Sequence, residues 1–218
     1  MNELHALHMR SAAAVFVALA AVAFPSAAAA NRFVFGSDLK APANKVEAHP
    51  SSSAFWHKAL PGGATVRAPA RGRVATLKLK GTAIKHGSTE PVTLFHFQIY
   101  HPTGDGRLRV SLTSGPFHVP VGGDPQQISI YHPVNLCARK GDIVAFSDVG
   151  GYQAGKYPNG TPFRVFSDVP QASTGFFTKP GGINNTNVFT PKPAHNGEEL
   201  LMKIVLLSGA DAGYCQNH

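Results

Sequence analysis

The sequence predicts an all-β fold, a single β-sandwich of jelly-roll type closed by one disulfide, on three observations. Only 15% of its 218 residues are charged, while Gly (22) and Pro (17) are frequent, a composition that favours strands and turns over charged surface helices. Short apolar runs alternate with polar residues at the period of a half-buried strand. The two cysteines, Cys137 and Cys215, form an even count that can pair.

The first 30 residues have the layout of a secretory signal. Residues 12–24 form an apolar run, which is followed by Pro25-Ser26 and by four alanines that end at Ala30. The run is too short to span about 30 Å of hydrocarbon. We therefore expect cleavage after Ala30, no transmembrane segment in the mature chain, and a secreted or cell-wall-associated protein. Translation from Met9 would supply the basic start that residues 1–8 lack.

In an exported chain, the two cysteines predict a Cys137–Cys215 disulfide. The bridge would close a loop of about 79 residues and stabilise the fold by about 4–5 kcal/mol on a chain-entropy basis. The alternative is a pair of buried, unpaired thiols.

The mature chain divides into two parts of one domain. Pro, Gly and Ser clusters in residues 31–63 predict an irregular segment packed on the domain, with at most a short strand at 33–35. Residues 64–218 form the sandwich. At its start Ala75, Leu77 and Leu79 alternate with polar residues, which predicts a strand with these three side chains in the core.

Two hairpins follow along the chain. Residues 92–101 and 107–112 alternate on either side of a Gly-containing loop, which predicts the first hairpin. Residues 134–138 and 143–146 flank a Lys-Gly-Asp turn and predict the second. Further strands are expected at 128–130, 163–166, 176–178 and 199–207, the last favoured as a strand over a short helix.

Motifs that carry chemistry are absent from the sequence, which contains no His-Glu-x-x-His, no Gly-x-Ser-x-Gly and no phosphate loop. Nine histidines remain after cleavage, and His96, His118 and His132 could meet across strands. We interpret them as separate surface or hydrogen-bonded residues, and we expect no catalytic residue, no metal site and no cofactor. Most acids are interpreted as solvated turn residues: Asp105, Asp124, Asp142, Asp148 and Asp168.

Three aromatic residues are candidates for ligand binding. Trp56, Tyr152 and Tyr157 lie in segments interpreted as loops, and aromatic faces suit sugar rings because they bring large apolar area at low entropy cost. The alternative for Trp56 is a place in the core.

The second candidate surface is basic. Net charge is +8, which favours anionic polymers such as cell-wall polymers without indicating a specific nucleic acid. Between Ala48 and Thr89 the sequence has seven Lys or Arg and no acid. The alternative is a solvated sheet face whose charges discourage edge pairing. The residues proposed for a patch are Arg67, Arg71, Arg73, Lys78 and Lys80.

Several motifs together resemble one group of proteins. They are FGSDL (35–39), EAHP (47–50) with FW shortly after, LPGG (60–63), APARGRV (68–74), HFQIYHP (96–102), PVGGDPQ (120–126), PVNLCARKGDIVAF (133–146) and TPFRVFS (161–167). In this combination the chain resembles a group of uncharacterised small exported β-sandwich proteins of high-GC soil bacteria. Residues 133–146 also resemble a strand–turn–strand of exported carbohydrate-binding jelly rolls. The resemblance implies the fold and export, and it implies no site residue.

The sequence favours an exported, non-catalytic β-sandwich that binds a polysaccharide or another cell-envelope polymer. Two alternatives stay open. One is an exported carbohydrate-active hydrolase or lyase, which would need two carboxyl groups in one cleft. The other is a structural or protein-interaction module of the envelope, which would expose a large apolar patch.

Overall fold

The computed structural model describes residues 30–216, which form fifteen β-strands and two short 3-10 segments. The predicted signal segment, up to Ala29, lies outside the described residues. Within residues 30–216 no helix has both the length and the apolar character needed to cross a bilayer. The strands are β1 (Asn31–Gly36), β2 (Lys45–Glu47), β3 (Ser52–Ala59), β4 (Gly72–Lys80), β5 (Thr82–Ala83), β6 (Leu94–Pro102), β7 (Leu108–Thr113), β8 (Phe117–His118), β9 (Ile128–Tyr131), β10 (Cys137–Ala138), β11 (Ile143–Asp148), β12 (Phe163–Lys179), β13 (Val188–Phe189), β14 (Lys192–Leu200) and β15 (Met202–Ser208).

The strands form two packed sheets. Sheet A has the order β1-β15-β4-β10, with β9 also paired to β4. Sheet B has the order β13-β7-β6-β11-β3-β12-β14, with β2 and β5 on β12 and β8 on β6. The predicted class, an all-β sandwich closed by one disulfide, is confirmed.

The space between the sheets is filled largely by phenylalanine. Alternate residues of β4 and β15 point inward from sheet A, and alternate residues of β3, β6 and β11 meet them from sheet B. Ring centroids in this core lie about 5 Å apart, as for Phe95 and Phe97 at 5.0 Å, the spacing of favourable edge-to-face contacts. Buried members of this cluster include Phe35, Phe55, Leu77, Phe95, Phe97, Phe146, Phe166 and Leu206.

A second apolar cluster covers the outer face of sheet B. The side chains of Trp56, Tyr100 and Ala145 point away from the space between the sheets. Ile183 and Phe189, from the segment after β12, pack over them. Sheet B is therefore buried on both faces, whereas side chains such as Val34 on the outer face of sheet A stay half exposed.

The first predicted hairpin is confirmed and the second is wrong. Strands β6 and β7 pair antiparallel, with Tyr100 opposite Val110. In contrast, β10 pairs with β4 in sheet A, and β11 lies between β3 and β6 in sheet B. The Lys-Gly-Asp turn therefore carries the chain from one sheet to the other. Two short strands joined by a turn have the same local sequence pattern whether they pair with each other or lie in different sheets.

Residues 31–63 are not irregular, because they contribute three strands. Strand β1 pairs along its whole length with β15, and β3 lies between β11 and β12 in the centre of sheet B. The prediction failed at β3 because both of its faces are buried, so that Phe55 and Trp56 are adjacent apolar residues and the sequence shows no alternation.

Two further sequence predictions, for the last apolar run and for β4, can be compared with the structure. The last apolar run is extended, since residues 199–207 span the end of β14 and most of β15. In β4 the predicted alternation shifts at a bulge, where Val205 and Leu206 of β15 face Thr76 and Val74. Val74 is therefore the inward residue at this end of the strand, and Ala75 lies in the bulge.

The disulfide ties the C-terminus to sheet A. Cys137 in β10 and Cys215 in the last 3-10 segment (Gly209–Gln216) are bonded, with Cα atoms 5.3 Å apart. The described residues contain no free cysteine, so the alternative of unpaired thiols is wrong.

Candidate functional site

The candidate ligand site is a groove at one end of the outer face of sheet B. It encloses about 760 Å³ between the loop after β11 and the loop after β12. Hydroxyl, amide, imidazole and carboxyl groups line it, together with one exposed aromatic ring. The polar and aromatic side chains of this lining are Ser52, His96, Thr113, Ser147, Asp148, Tyr152, Asn184 and Asn185.

A network of hydrogen bonds fixes one wall of the groove. The Tyr100 hydroxyl donates to Gln98 Oε1 at 2.6 Å, and Gln98 Nε2 donates to Thr113 Oγ1 at 3.0 Å and to the Ile183 carbonyl at 2.6 Å. Thr113 Oγ1 in turn donates to Asn185 Oδ1 at 2.6 Å. Exposed Asn185 is therefore connected through the partly buried Thr113 to the buried Gln98, and this contact orients its side-chain amide.

Asp148 is the single carboxyl among the described residues that line the groove. The sequence predicted a solvated turn residue, but Asp148 ends β11 and is 3% exposed. Its Oδ1 accepts the Ser53 backbone N–H at 2.9 Å. Burial nevertheless raises the pKa of Asp148 to about 8, because desolvation disfavours the charged form. At neutral pH the carboxyl is therefore mostly protonated and can donate a hydrogen bond.

The three predicted aromatic residues are not brought together. Trp56 lies in β3 rather than in a loop, is 4% exposed, and packs edge-on against Tyr100. Its indole also packs directly on the backbone of Gly175, where any Cβ atom would collide with the indole nitrogen. Tyr157 is 3% exposed, and its hydroxyl donates to the Thr89 carbonyl at 2.6 Å. Only Tyr152 offers an accessible ring, 48% exposed at the rim of the groove.

The predicted basic patch is smaller than its five residues. Lys80 is 8% exposed, and its ammonium donates to the carbonyls of Leu39 and Ala41 at 3.2 and 2.8 Å. Lys80 therefore stabilises the fold and is not part of a surface patch. Arg67 and Arg71 are exposed before β4.

Arg73 and Lys78 are partly exposed on the outer face of sheet A. The strand register places Lys78 between Lys203 and Ile130, and Arg73 opposite Leu207. This face therefore interleaves cations with aliphatic side chains.

A cluster that sequence analysis missed lies where β2 and β14 flank β12. Glu47 stands opposite Phe163, Glu198 opposite Asp168, and His195 opposite Thr174. Among residues 30–216, Glu47, His195 and Glu198 form a group of metal-ligand type whose ligand atoms all lie within 4.8 Å of one another. About 150 residues of chain separate β2 from β14, so no local motif could have revealed the group.

Ion pairs and hydrogen bonds connect this cluster. His195 Nδ1 lies 3.3 Å from Glu198 Oε1 and 3.9 Å from Glu47 Oε1, and His49 Nε2 lies 3.0 Å from Glu47 Oε2. The Lys45 ammonium lies 3.1 Å from Glu198 Oε2.

Electrostatic interactions within the cluster shift two pKa values in opposite directions. Hydrogen bonding to Glu198 raises the pKa of His195. Burial alone would raise the pKa of Glu47, but hydrogen bonds with His49 and Glu198, together with the charge of His195, outweigh it and lower that pKa. The carboxylate form of Glu47 is therefore favoured, although the side chain is largely buried.

The histidines considered together in the sequence make separate contacts. His96 Nδ1 bonds the Ser114 carbonyl at 2.9 Å, and His132 Nδ1 bonds the Ala75 carbonyl at 3.2 Å. His118 Nδ1 lies 3.5 Å from the Thr93 hydroxyl. Each side chain therefore has a partner of its own.

Comparison with known proteins adds no assignment to these sites. No protein-family model matches the chain, and no curated protein matches it.

Proposed function

We propose that this chain is an exported, non-catalytic carbohydrate-binding β-sandwich and that the groove on sheet B is its binding site. The lining of the groove supports this most strongly, because it combines amide and hydroxyl side chains with one exposed tyrosine ring at the rim. Sugars present vicinal hydroxyls to hydrogen-bonding groups and apolar C–H faces to aromatic rings, and this lining offers both kinds of contact.

The number of carboxyl groups favours a binder over a hydrolase. Glycoside hydrolysis ordinarily needs two carboxyl groups about 5–10 Å apart across the scissile bond. Asp148 is the single carboxyl among the described residues of the groove, and its raised pKa makes it a hydrogen-bond donor at neutral pH.

Two features support export as part of the proposal. The apolar run at residues 12–24, followed by small residues, has the order of a secretory signal. The Cys137–Cys215 disulfide fits an oxidising compartment, where such bonds persist. Mass spectrometry of the exported protein should find an N-terminus at or near Asn31. Retention of residues 12–24 in the mature protein would contradict export by a cleaved signal.

The binding proposal is tested by a glycan array followed by calorimetry on the best ligand. Tyr152→Ala removes the exposed ring, and Asn185→Ala removes the fixed amide. Each should weaken binding by about tenfold, equivalent to about 1.4 kcal/mol. Binding of a neutral glycan should change little with salt, because no counterions are released.

Tyr214→Ala is the matched control, since Tyr214 is similarly exposed (43%) but lies away from the groove. It should leave the affinity unchanged. If no glycan binds, or if Tyr152→Ala and Tyr214→Ala have the same effect, the groove is not a sugar site. Measurable hydrolysis of the bound glycan would instead favour the enzyme alternative.

A further inference from the structure

Glu47, His195 and Glu198 bring three potential metal-ligand atoms within 4.8 Å of one another. Tetrahedral ligands at about 2.0–2.1 Å from an ion lie roughly 3.3–3.4 Å from one another. His195 Nδ1 lies 3.3 Å from Glu198 Oε1 and 3.9 Å from Glu47 Oε1. All three ligand atoms lie within 4.8 Å of one another, so modest side-chain rotations could bring them around one ion.

Burial of Glu198 is an independent sign that the site was built to hold charge. Its side chain is completely buried, and no group within residues 30–216 makes a well-directed hydrogen bond to its Oε2. The Lys45 ammonium, 3.1 Å from that oxygen, provides charge compensation without a well-directed hydrogen bond. A buried carboxylate is costly unless it is paired or coordinates a metal, and Oε1 is left facing His195.

In the protonation state that binds a metal, the cluster is negative although the chain is basic overall. Glu47, Asp168 and Glu198 are three carboxylates, and Lys45 lies 3.1 Å from Glu198 and 3.6 Å from Asp168. Metal ligation requires a neutral imidazole and ionised carboxyl groups, and in that form the cluster has an excess of two negative charges, on a chain of net charge +8. A divalent cation would balance this excess.

The surroundings would also hold the ligands in place. His49 Nε2 contacts the second oxygen of Glu47 at 3.0 Å, an outer contact of the kind that orients ligating groups. The ring of Phe176 lies between the two histidines, with centroids at 4.7 Å from His49 and 4.8 Å from His195. The His195 side chain is 28% exposed, so an ion could enter from solvent.

We propose that Glu47, His195 and Glu198 form a binding site for one divalent transition-metal ion, with a fourth position open to water. One imidazole nitrogen and two carboxylate oxygens suit Zn²⁺ better than Mg²⁺, because Mg²⁺ prefers oxygen ligands alone and retains its waters. The site lies between β2 and β14, and its residues are not among those that line the groove. The proposed metal site is therefore spatially separate from the proposed sugar site.

The test is calorimetry and thermal unfolding of the purified protein with Zn²⁺, with Mg²⁺ as the comparison ion. One equivalent of Zn²⁺ should bind and raise Tm, while Mg²⁺ should not. Co²⁺ in the same site should give the intense visible absorption of a tetrahedral complex. His195→Gln and Glu47→Gln should abolish these effects, and His49→Gln should weaken Zn²⁺ binding by about 10–100-fold.

His101→Gln is the matched control. His101 also pairs with a buried carboxylate, at 2.8 Å from Asp142, but it has one acid partner instead of two. This variant should bind Zn²⁺ as the unchanged protein does. If His195→Gln leaves Zn²⁺ binding intact, or if His101→Gln removes it, the ion binds elsewhere and the proposal is wrong.

Lys45→Met separates a metal site from an ordinary ion-pair cluster. Removing the ammonium frees Glu198 Oε2, so the metal-free variant should have a lower Tm than the unchanged protein. Zn²⁺ should bind it more tightly and should raise its Tm by more. A variant that is destabilised and does not respond to Zn²⁺ would show that the cluster is only a salt-bridge network.

Discussion

The outer faces of the two sheets differ in what covers them. On sheet B, Ile183 and Phe189 close over Trp56 and Tyr100 and form a second apolar layer. On sheet A the outer face stays partly open, and cations such as Lys78 alternate across strands with aliphatic side chains. The covered face contains the groove at one end, so the second layer both stabilises sheet B and shapes the candidate site.

The largest expected effect is on the covered face. Trp56→Ala should lower the free energy of unfolding by about 3–5 kcal/mol, because it removes a buried aromatic side chain and leaves a cavity next to Tyr100 and Phe189. Val34→Ala on the outer face of sheet A, where Val34 is 51% exposed, should cost about 0.5 kcal/mol or less. Urea unfolding measures both. Equal losses would mean that the two faces do not differ in burial.

Whether a strand has one exposed face or two buried faces also explains which strands could be predicted from the sequence. The β6–β7 hairpin was predictable because its partners are adjacent in the chain and one face of β7 is exposed, which leaves a clear alternation at Leu108 and Val110. Strand β3 was missed because burial on both faces removes the alternation. Trp56 was consequently placed in a loop and considered as a ligand-binding residue.

Long-range partners account for the other failures. The sheet to which β10 and β11 belong depends on pairing with β4 and β3, and the local turn sequence does not contain that information. Glu47 and Glu198 meet only because β2 and β14 both pair with the bent strand β12. The loop position of Tyr152 was predictable from the glycines around it, and the structure leaves its ring 48% exposed.

The next effect concerns the disulfide, which fastens the C-terminal segment to the edge of sheet A. Reduction should lower the free energy of unfolding by about 4 kcal/mol, near the chain-entropy value, since the unfolded chain regains the freedom of a loop with a sequence separation of 78. The protein should remain folded, because both apolar clusters are independent of the bridge. Calorimetric Tm with and without reductant measures this. Complete unfolding on reduction would show that the bridge is essential to sheet A.

A third prediction concerns pH and the groove. The pKa of Asp148 is about 8 in the folded protein and has its ordinary value in the unfolded chain. Between these two pKa values Asp148 is protonated in the folded state and ionised in the unfolded state, so the free energy of unfolding falls as pH rises. From pH 6 to pH 8 this group should cost about 2 kcal/mol. Asp148→Asn cannot ionise and should remove that slope. The measurement is urea unfolding of both proteins across this pH range, and identical slopes would contradict a raised pKa.

The smallest expected effect is on the open face of sheet A. Arg73→Gln with Lys78→Gln should change the free energy of unfolding by less than about 0.5 kcal/mol, because partly exposed charges contribute little to folding. Binding to an anionic polymer should weaken with salt by about one unit of log–log slope for each cation that neutralises a polymer charge. Lys80 is buried, Arg73 faces Leu207, and Lys78 faces Lys203 on one side and Ile130 on the other. We therefore expect the double variant to lose no more slope than a control with equal charge change at exposed loop positions, Lys140→Gln with Lys156→Gln. A markedly larger loss of salt slope for the Arg73 and Lys78 variant would show that the open face of sheet A is a polymer-binding surface. Each sheet would then have a ligand site on its outer face, and the outer face of sheet A would not be merely solvated.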